Sequence, residues 1–151
     1  MKIFIDSELK MKTFGARLMS SCEQAGVITL EGNLGTGKTT IVRGALESCG
    51  ITSGVRSPTY TLIEYYEMEK LSVAHFDLYR LGDPEELEYL GYRDYLQSDT
   101  LCFIEWPERA SGYLDSVGLQ VRIDYAEEGR NIELIPGTAW GHLLIQRLSL
   151  T

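Results

Sequence analysis

The sequence predicts an α/β fold: a single-domain, three-layer sandwich around a mixed sheet that is parallel at its centre. Segments with helical periodicity alternate with strand-like segments, and the strands at 27–31 and 101–106 are largely apolar, as in strands buried on both faces. The segments 119–125 and 131–135 alternate apolar and polar residues, which is typical of half-buried antiparallel strands. A chain of 151 residues has room for one core, so we expect one domain over 1–151.

The other elements follow from local signals. Apolar residues spaced as on one helix face predict the first helix, with Gly26 as its stop. At 83–86, a capping residue, a proline and two acids favour the opening of another helix. In chain order, the predicted elements are a helix over 7–25, a strand over 27–31, a helix from 38 to 49, strands over 61–66 and 71–78, a helix opening at 83, strands over 101–106, 119–125 and 131–135, and a helix over 138–149.

A glycine-rich loop is the strongest chemical signal in the chain. Residues 32–39 read Gly-Asn-Leu-Gly-Thr-Gly-Lys-Thr, which matches the Walker A pattern and lies between a predicted strand and a predicted helix. Glycines let such a loop turn its backbone N–H groups toward phosphate oxygens, where the helix also directs its positive end. We expect Lys38 to reach the β- and γ-phosphates, Thr39 to ligate Mg²⁺ and Thr40 to contact the α-phosphate. The predicted phosphate-binding residues of this P-loop NTPase-like fold are Gly35, Thr36, Gly37, Lys38, Thr39 and Thr40.

A phosphate loop also needs a carboxylate on the metal side, usually at the end of a neighbouring strand. Glu105 ends the apolar run 101–104, and Asp77 ends the competing run 73–76. The pattern alone does not rank these two acids. His75 leaves two interpretations open, a general base or a packed strand residue.

Composition and charge exclude several classes of function. The chain carries 22 acidic and 14 basic residues, a net charge of −8, so no broad basic surface is expected to cover nucleic acid. DNA is therefore not an expected partner. No segment approaches the ~20 apolar residues that a membrane helix needs, and the three cysteines form no CxxC pair. We expect a cytoplasmic protein with no membrane partner.

Two classes of phosphate-loop protein are disfavoured. A GTPase would carry a guanine-reading Asn-Lys-x-Asp motif, which the sequence lacks. A small-molecule kinase would need an arginine-rich lid and a substrate clamp, whereas the arginines here are scattered along the chain.

Four segments downstream of the loop carry a family resemblance. They are 55–62 (Val-Arg-Ser-Pro-Thr-Tyr-Thr-Leu), 75–81 (His-Phe-Asp-Leu-Tyr-Arg-Leu), 84–88 (Pro-Glu-Glu-Leu-Glu) and 104–108 (Ile-Glu-Trp-Pro-Glu). In this order they resemble the TsaE (YjeE) family of bacterial ATPases over nearly the whole chain. The Ser-Pro-Thr-Tyr-Thr and Glu-Trp-Pro segments are more specific than the phosphate loop alone.

The resemblance implies ATP or ADP and Mg²⁺ as ligands, and a role in making threonylcarbamoyladenosine in tRNA. It implies TsaD and TsaB as protein partners, with tRNA engaged only indirectly and hydrolysis slow without the partners. Glu105 matches the family's Walker B acid, which makes it the favoured metal carboxylate. Asp77 would orient the attacking water or the switch loop, or it would hydrogen-bond to a ligand of the metal without contacting the metal itself. Residues 57–61 resemble a switch loop, whose Thr61 hydroxyl would act with Lys38 and Asp77 in catalysis.

The resemblance marks the adenine pocket only by neighbourhood. Glu8 at the start of the first helix, Glu108 and Glu128 within the segment 124–130 are the candidates. Trp106 would dock a partner, pack beside the site or simply pack in the core. Two alternatives to an ATPase remain: a docking module whose surface depends on ATP occupancy, and, less favoured, a small-molecule kinase.

Overall fold

A computed structural model describes residues 1–52 and 61–151. The elements are β1 (Lys2–Ile5), α1 (Glu8–Ser21), β2 (Gly26–Glu31), α2 (Lys38–Ser48), β3 (Ile63–Tyr66), β4 (Ser72–Asp77), α3 (Glu86–Tyr89), α4 (Tyr92–Gln97), β5 (Thr100–Glu105), a 3₁₀ helix (Pro107–Ala110), β6 (Leu119–Ala126), β7 (Gly129–Pro136) and α5 (Ala139–Leu150). In these two ranges, no helix is both long enough and apolar enough to cross a membrane.

One seven-stranded sheet organises the fold, in the order β1-β7-β6-β2-β5-β4-β3. The four central strands β6, β2, β5 and β4 are parallel, and the pairs β1–β7, β6–β7 and β3–β4 are antiparallel. The predicted mixed sheet with a parallel centre is confirmed. Because β2 lies between β5 and β6, the loop that leaves β2 opens at the carboxyl ends of three parallel strands, where ligands bind in such sheets.

Helices cover both faces of the sheet, which makes the predicted three layers. On one face, Ile28 of β2 and Phe103 of β5 pack in a cluster with residues of α1, α2 and α5. On the other face, Cys102 and Ile104 of β5 pack in a second cluster with Leu87 of α3 and other residues of the small helices. The central strands are therefore apolar on both sides, as their sequences predict.

Close packing of α1 on α2 fixes where the loop helix begins. A Cβ on Gly15 would lie 2.0 Å from the carbonyl oxygen of Ile41, and one on Gly44 would lie 2.1 Å from that of Lys12. Only glycine permits this approach of the two backbones. The first turn of α2 is thus held against α1 and β2, and the loop residues that precede it are anchored at both ends.

Beyond shifts of one or two residues at strand and helix ends, three features differ from the sequence prediction. The edge strand β1 was not predicted, because its partner β7 lies more than 120 residues away in the chain. Helix α1 ends at Ser21, and Gly26 begins β2 instead of stopping the helix. The helix expected to open at Asp83 begins at Glu86 and stops before Gly91, whose φ of 66° breaks the segment into α3 and α4.

Candidate functional site

The loop between β2 and α2 leaves backbone donors facing outward at the start of the helix. Gly37, the residue before α2, has a φ of 110°, and a Cβ there would lie 3.0 Å from the Met11 side chain. No side chain of the described residues caps α2 through a hydrogen bond to its first amides. The first N–H groups of a helix have no partner inside the helix. Together with the helix dipole, they form a site suited to an anion.

Lys38 is held inside the loop. Its side chain is almost buried, and its Nζ donates hydrogen bonds to the carbonyl oxygens of Gly32 at 2.5 Å and Asn33 at 2.9 Å. The same Nζ lies 4.3 Å from the centre of the Trp106 ring. Burial lowers the pKa of Lys38, while the nearby carboxylate of Glu105 opposes that shift most strongly among the acids. The ammonium is thus positioned at the loop.

Thr39 and Glu105 meet at the start of α2. The Thr39 hydroxyl lies 3.0 Å from Oε1 and 3.1 Å from Oε2 of Glu105, whose side chain is nearly buried at the end of β5. Asp77 ends the adjacent parallel strand β4 directly beside Glu105 in register. Its Oδ1 accepts a hydrogen bond from the backbone N–H of Tyr79 at 3.1 Å. Of the two competing acids, Glu105 is the one that contacts the loop threonine.

His75 lies on the same side of the sheet as Glu105 and is fully buried. Its Nε2 lies 2.5 Å from Oε2 of Glu105, and its Nδ1 has no hydrogen-bond partner among the described residues. The histidine is therefore packed in its strand, and its polar contact is made to the acid.

An open cavity of about 420 Å³ joins these groups. Its lining includes Lys38, Thr39, Asp77, Glu105 and Trp106. A lysine, a hydroxyl and two carboxylates therefore face one space next to the helix start. This combination can bind a phosphate group and hold a hard cation beside it.

A second cavity, of about 330 Å³, lies on the α1 side of the loop. It is lined by Glu8, Gly37, Thr40 and Arg130, among others, so Thr40 borders both cavities. Glu8 is exposed, and its carboxylate lies 3.9 Å from Arg43. This is the cavity in which the first helix and the β6–β7 hairpin approach the loop together.

Two of the predicted adenine-pocket residues, Glu108 and Glu128, line neither of the two cavities beside the loop. Glu128 is exposed in the turn between β6 and β7. Gly129 and Arg130, the next two residues, line the second cavity, but Glu128 does not. Glu108 is on the 3₁₀ helix and lines another cavity with Glu31. Its carboxylate is still near enough to raise the pKa of Lys38, as the smallest of three acidic contributions.

The β6–β7 hairpin supports the loop backbone. Arg130 donates from Nη2 to the carbonyl oxygen of Gly35 and from Nε to that of Thr36, each at 3.2 Å. The Tyr125 hydroxyl donates to the carbonyl oxygen of Leu34, and its ring lies 4.6 Å from the Arg130 guanidinium. The family resemblance places the segment 124–130 near the nucleotide, but no sequence pattern predicts these hydrogen bonds to the loop.

Thr61 is exposed, and its hydroxyl donates to Oε1 of Glu64 at 3.1 Å, next to the start of β3. The other residues of the predicted switch loop, 57–60, lie outside the described residues. The catalytic assignment of Thr61 stays a prediction.

The donor set at Thr39 and Glu105 suits magnesium. Both contribute oxygen, and Mg²⁺ is commonly held by one or two protein oxygens with phosphate and water completing its shell. In the described part of the chain, no group of three or more histidine, cysteine, aspartate or glutamate residues is arranged to hold a metal by itself. Thr39 and Glu105 thus fit a cation whose remaining ligands come from phosphate and water.

The fold and the site together define a class. A central strand of a mixed α/β sheet leads through a Walker A loop into a helix, and an acid from the adjacent strand meets the helix start. This is the arrangement of a P-loop NTPase-like domain. Residues 5–132 match the family described as "Threonylcarbamoyl adenosine biosynthesis protein TsaE". The chain belongs to this TsaE family.

Relatives and a solved structure agree with this assignment. The chain is 45% identical over 151 residues to "tRNA threonylcarbamoyladenosine biosynthesis protein TsaE" of Haemophilus influenzae, covering 97% of this chain and 96% of the relative. It is 40% identical over 112 residues to the protein of the same name from Bacillus subtilis, covering 74% and 70%. The crystal structure of YdiB from Bacillus subtilis superposes with a TM-score of 0.83 at 29% identity, covering 99% of this chain and 94% of that one.

Proposed function

We propose that this protein binds ATP with Mg²⁺ and hydrolyses it slowly, as a cytoplasmic component of the machinery that makes tRNA threonylcarbamoyladenosine. The observation that carries the proposal is the contact between Thr39, the first threonine of α2, and Glu105 at the end of β5. It brings the oxygen pair that a Mg²⁺-bound nucleotide requires next to a Walker A lysine. The names of the relatives supply the pathway.

Different groups of the chain would bind different phosphates of the nucleotide. The uncapped amides of α2 and the loop backbone would bind the β-phosphate, with Thr40 beside the α-phosphate. Lys38 would exchange its bonds to the carbonyl oxygens of Gly32 and Asn33 for phosphate oxygens. The cavity that Glu8 and Arg130 line is the candidate space for the nucleoside.

Hydrolysis is assigned to the strand-end side of the loop, where Asp77 ends β4 and Glu105 ends β5. Mg²⁺, when bound, would neutralise charge on the β- and γ-phosphates. Thr39 and Glu105 would hold it, the former by its hydroxyl and the latter by its carboxylate. Asp77 faces the same cavity and would orient a water molecule. P-loop catalysis depends mainly on positioning and charge, so an incompletely assembled site hydrolyses slowly.

Partner dependence is the second part of the proposal. The net charge of −8 disfavours direct binding of tRNA over a broad surface. TsaD and TsaB, implied by the family resemblance, are the proposed partners, and hydrolysis would drive or reset their catalytic cycle. The alternative within the same site is a docking module, in which ATP occupancy shapes the contact surface and hydrolysis is incidental.

A reconstitution experiment tests the proposal. TsaD–TsaB is immobilised and the protein is added with ATP, with ADP or without nucleotide, and ATP turnover is measured with and without the complex. We expect nucleotide-dependent association, weak turnover alone, and clear stimulation by the complex. Turnover by the isolated protein on the order of 10 per second or faster would contradict partner dependence.

The same experiment separates the two candidate roles. Association that depends on ATP with no stimulated turnover would favour the docking module. Absence of association in every nucleotide state would contradict the proposed partnership, while ATP binding to the loop would be judged separately by calorimetry.

A further inference from the structure

The burial of His75 needs an explanation that packing does not provide. The side chain is fully buried in β4, between apolar residues of the same strand such as Val73 and Phe76. Removing an imidazole from water is unfavourable unless protein hydrogen bonds replace those to water. An apolar side chain would fill this position without that cost. The function of the polar ring must therefore lie in what it contacts.

Among the described residues, the polar contact of the His75 ring is to the Glu105 carboxylate. Nε2 of His75 lies 2.5 Å from Oε2 of Glu105, and both side chains are shielded from solvent. An ionised carboxylate offers only acceptors, so a hydrogen bond to it requires a hydrogen on Nε2 of the ring. Nδ1 has no partner among the described residues. The contact with Glu105 is thus the hydrogen bond that accounts for an imidazole at this position.

The contact restricts how Glu105 can point. Oε2 is held by His75 from the adjacent strand β4, while the Thr39 hydroxyl of α2 approaches both carboxylate oxygens at 3.0 and 3.1 Å. A glutamate side chain otherwise has three rotatable bonds whose ordering costs entropy. With two elements holding it, the carboxylate is kept at the cavity that Lys38 and Asp77 also line.

We propose that His75 is a positioning residue: it holds the Glu105 carboxylate in the orientation that binds Mg²⁺ beside Thr39. The inference rests on the proposed function, because it assumes that the nucleotide arrives with Mg²⁺. Groups that hydrogen-bond to metal ligands commonly set metal affinity by fixing the ligand orientation. His75 makes no contact with the nucleotide in this arrangement and acts through Glu105 alone.

Two substitutions separate positioning from packing. His75→Leu keeps an apolar body and removes the donor, whereas His75→Gln places an amide N–H close to the position of Nε2. Thr29→Val is the matched control: it removes a buried hydroxyl without a described partner from the central strand β2, which pairs with β5 on the side away from β4. ADP affinity is measured by calorimetry in Mg²⁺ and in EDTA, and folding is checked by thermal unfolding.

We expect His75→Leu to weaken the Mg²⁺-dependent part of ADP binding roughly tenfold and to leave the affinity in EDTA unchanged. His75→Gln should recover most of the loss, and Thr29→Val should behave as wild type. An unchanged Mg²⁺ response in His75→Leu would overturn the inference. So would equal losses in the Leu and Gln variants, which would assign the histidine to packing. A wild-type protein whose ADP binding ignores Mg²⁺ would instead overturn the proposed metal site itself.

The wild-type protein provides a second test that needs no folded variant. The chain has two histidines, His75 and the exposed His142 on α5, so ¹⁵N-labelled imidazoles give two assignable sets of signals. We expect His75 in the form protonated at Nε2, and a shift of its signals when Mg²⁺ is added to the ADP complex. The His142 signals should not move. Protonation at Nδ1 alone, or a Mg²⁺ response confined to His142, would contradict the positioning role.

Discussion

The two sides of the phosphate loop are built in different ways. On the hairpin side, Tyr125 and Arg130 hold the loop by hydrogen bonds to its carbonyl oxygens, and Tyr125 is 53% exposed. On the strand-end side, Asp77 and Glu105 are only 4% and 2% exposed. The hairpin side therefore supports the loop backbone through side chains that stay accessible to solvent. The strand-end side presents acids that are shielded from water.

This difference indicates a division of labour. Hydrogen bonds at the surface contribute little individually, so the hairpin side is expected to tune the shape of the loop. Buried acids interact strongly with nearby charge because the local dielectric is low. The strand-end side is therefore expected to control the metal and hydrolysis, while the hairpin side affects nucleotide affinity alone.

The largest expected effect comes from Lys38, which lies between the two sides. Lys38→Ala removes a charged donor to phosphate, worth ~2.7 kcal/mol or roughly 100-fold in ATP affinity. Calorimetric titration with ATP measures it, with Lys10→Ala on the exposed face of α1 as a control for lost positive charge. Unchanged ATP affinity in Lys38→Ala would remove the loop from the binding site.

Glu105→Gln tests the strand-end side. The substitution keeps the shape but weakens metal ligation, so we expect partner-stimulated ATP turnover to fall roughly 10–100-fold, with ADP affinity in EDTA preserved. Glu31→Gln is the matched control, since Glu31 ends the neighbouring strand β2 and pairs with Arg122. Normal Mg²⁺-dependent turnover in Glu105→Gln would exclude this acid from the metal site.

A smaller effect is expected on the hairpin side. Arg130→Ala loses the hydrogen bonds to the carbonyl oxygens of Gly35 and Thr36, and ~1 kcal/mol corresponds to about fivefold weaker ADP binding. Arg130→Lys should not restore it, because the ammonium lacks the planar fork. Arg122→Ala on the same hairpin controls for charge. If Arg130→Ala changes only the Mg²⁺ response of ADP binding, the proposed separation of roles between the hairpin side and the strand-end side is wrong.

The smallest effect concerns stability. Burial lowers the pKa of Lys38 below its ordinary 10.5, so between the two values the unfolded chain binds more protons than the folded one. The contribution of Lys38 to the free energy of unfolding therefore rises as pH rises through that window. Relative to Lys38→Met, which does not titrate at this position, wild type should therefore gain stability as pH rises toward 10.5. Thermal unfolding checks it, and a stability difference independent of pH would contradict the assignment.

Much of the fold was predictable because its signals are local. The apolar runs that form β2 and β5 show two-sided burial directly in the sequence, and the Walker A loop marks the junction between β2 and α2. The short edge strand β1 was not predictable in the same way. Its four residues become a strand only through pairing with β7 at the other end of the chain.

The residues of the site were largely predictable from the sequence, but the contacts between them were not. Patterns identified Asp77 and Glu105 as strand-end acids, but only the packing of α2 shows that Thr39 contacts Glu105. The bond between His75 and Glu105 depends on the alignment of two parallel strands, which no pattern encodes. Arg130 meets the loop because β6 pairs with both β2 and β7.

A double-mutant cycle on Arg130→Ala and Glu105→Gln tests the central claim most directly. ADP affinity is measured by calorimetry for the wild type, both single variants and the double variant, in Mg²⁺ and in EDTA. If the two sides of the loop act independently, Arg130→Ala weakens ADP binding equally in Mg²⁺ and in EDTA, and Glu105→Gln alters only the Mg²⁺ response. The two changes in binding free energy then add within ~0.5 kcal/mol. A coupling energy above ~1 kcal/mol between the two positions would show that the loop's two sides act as one unit and would contradict the account.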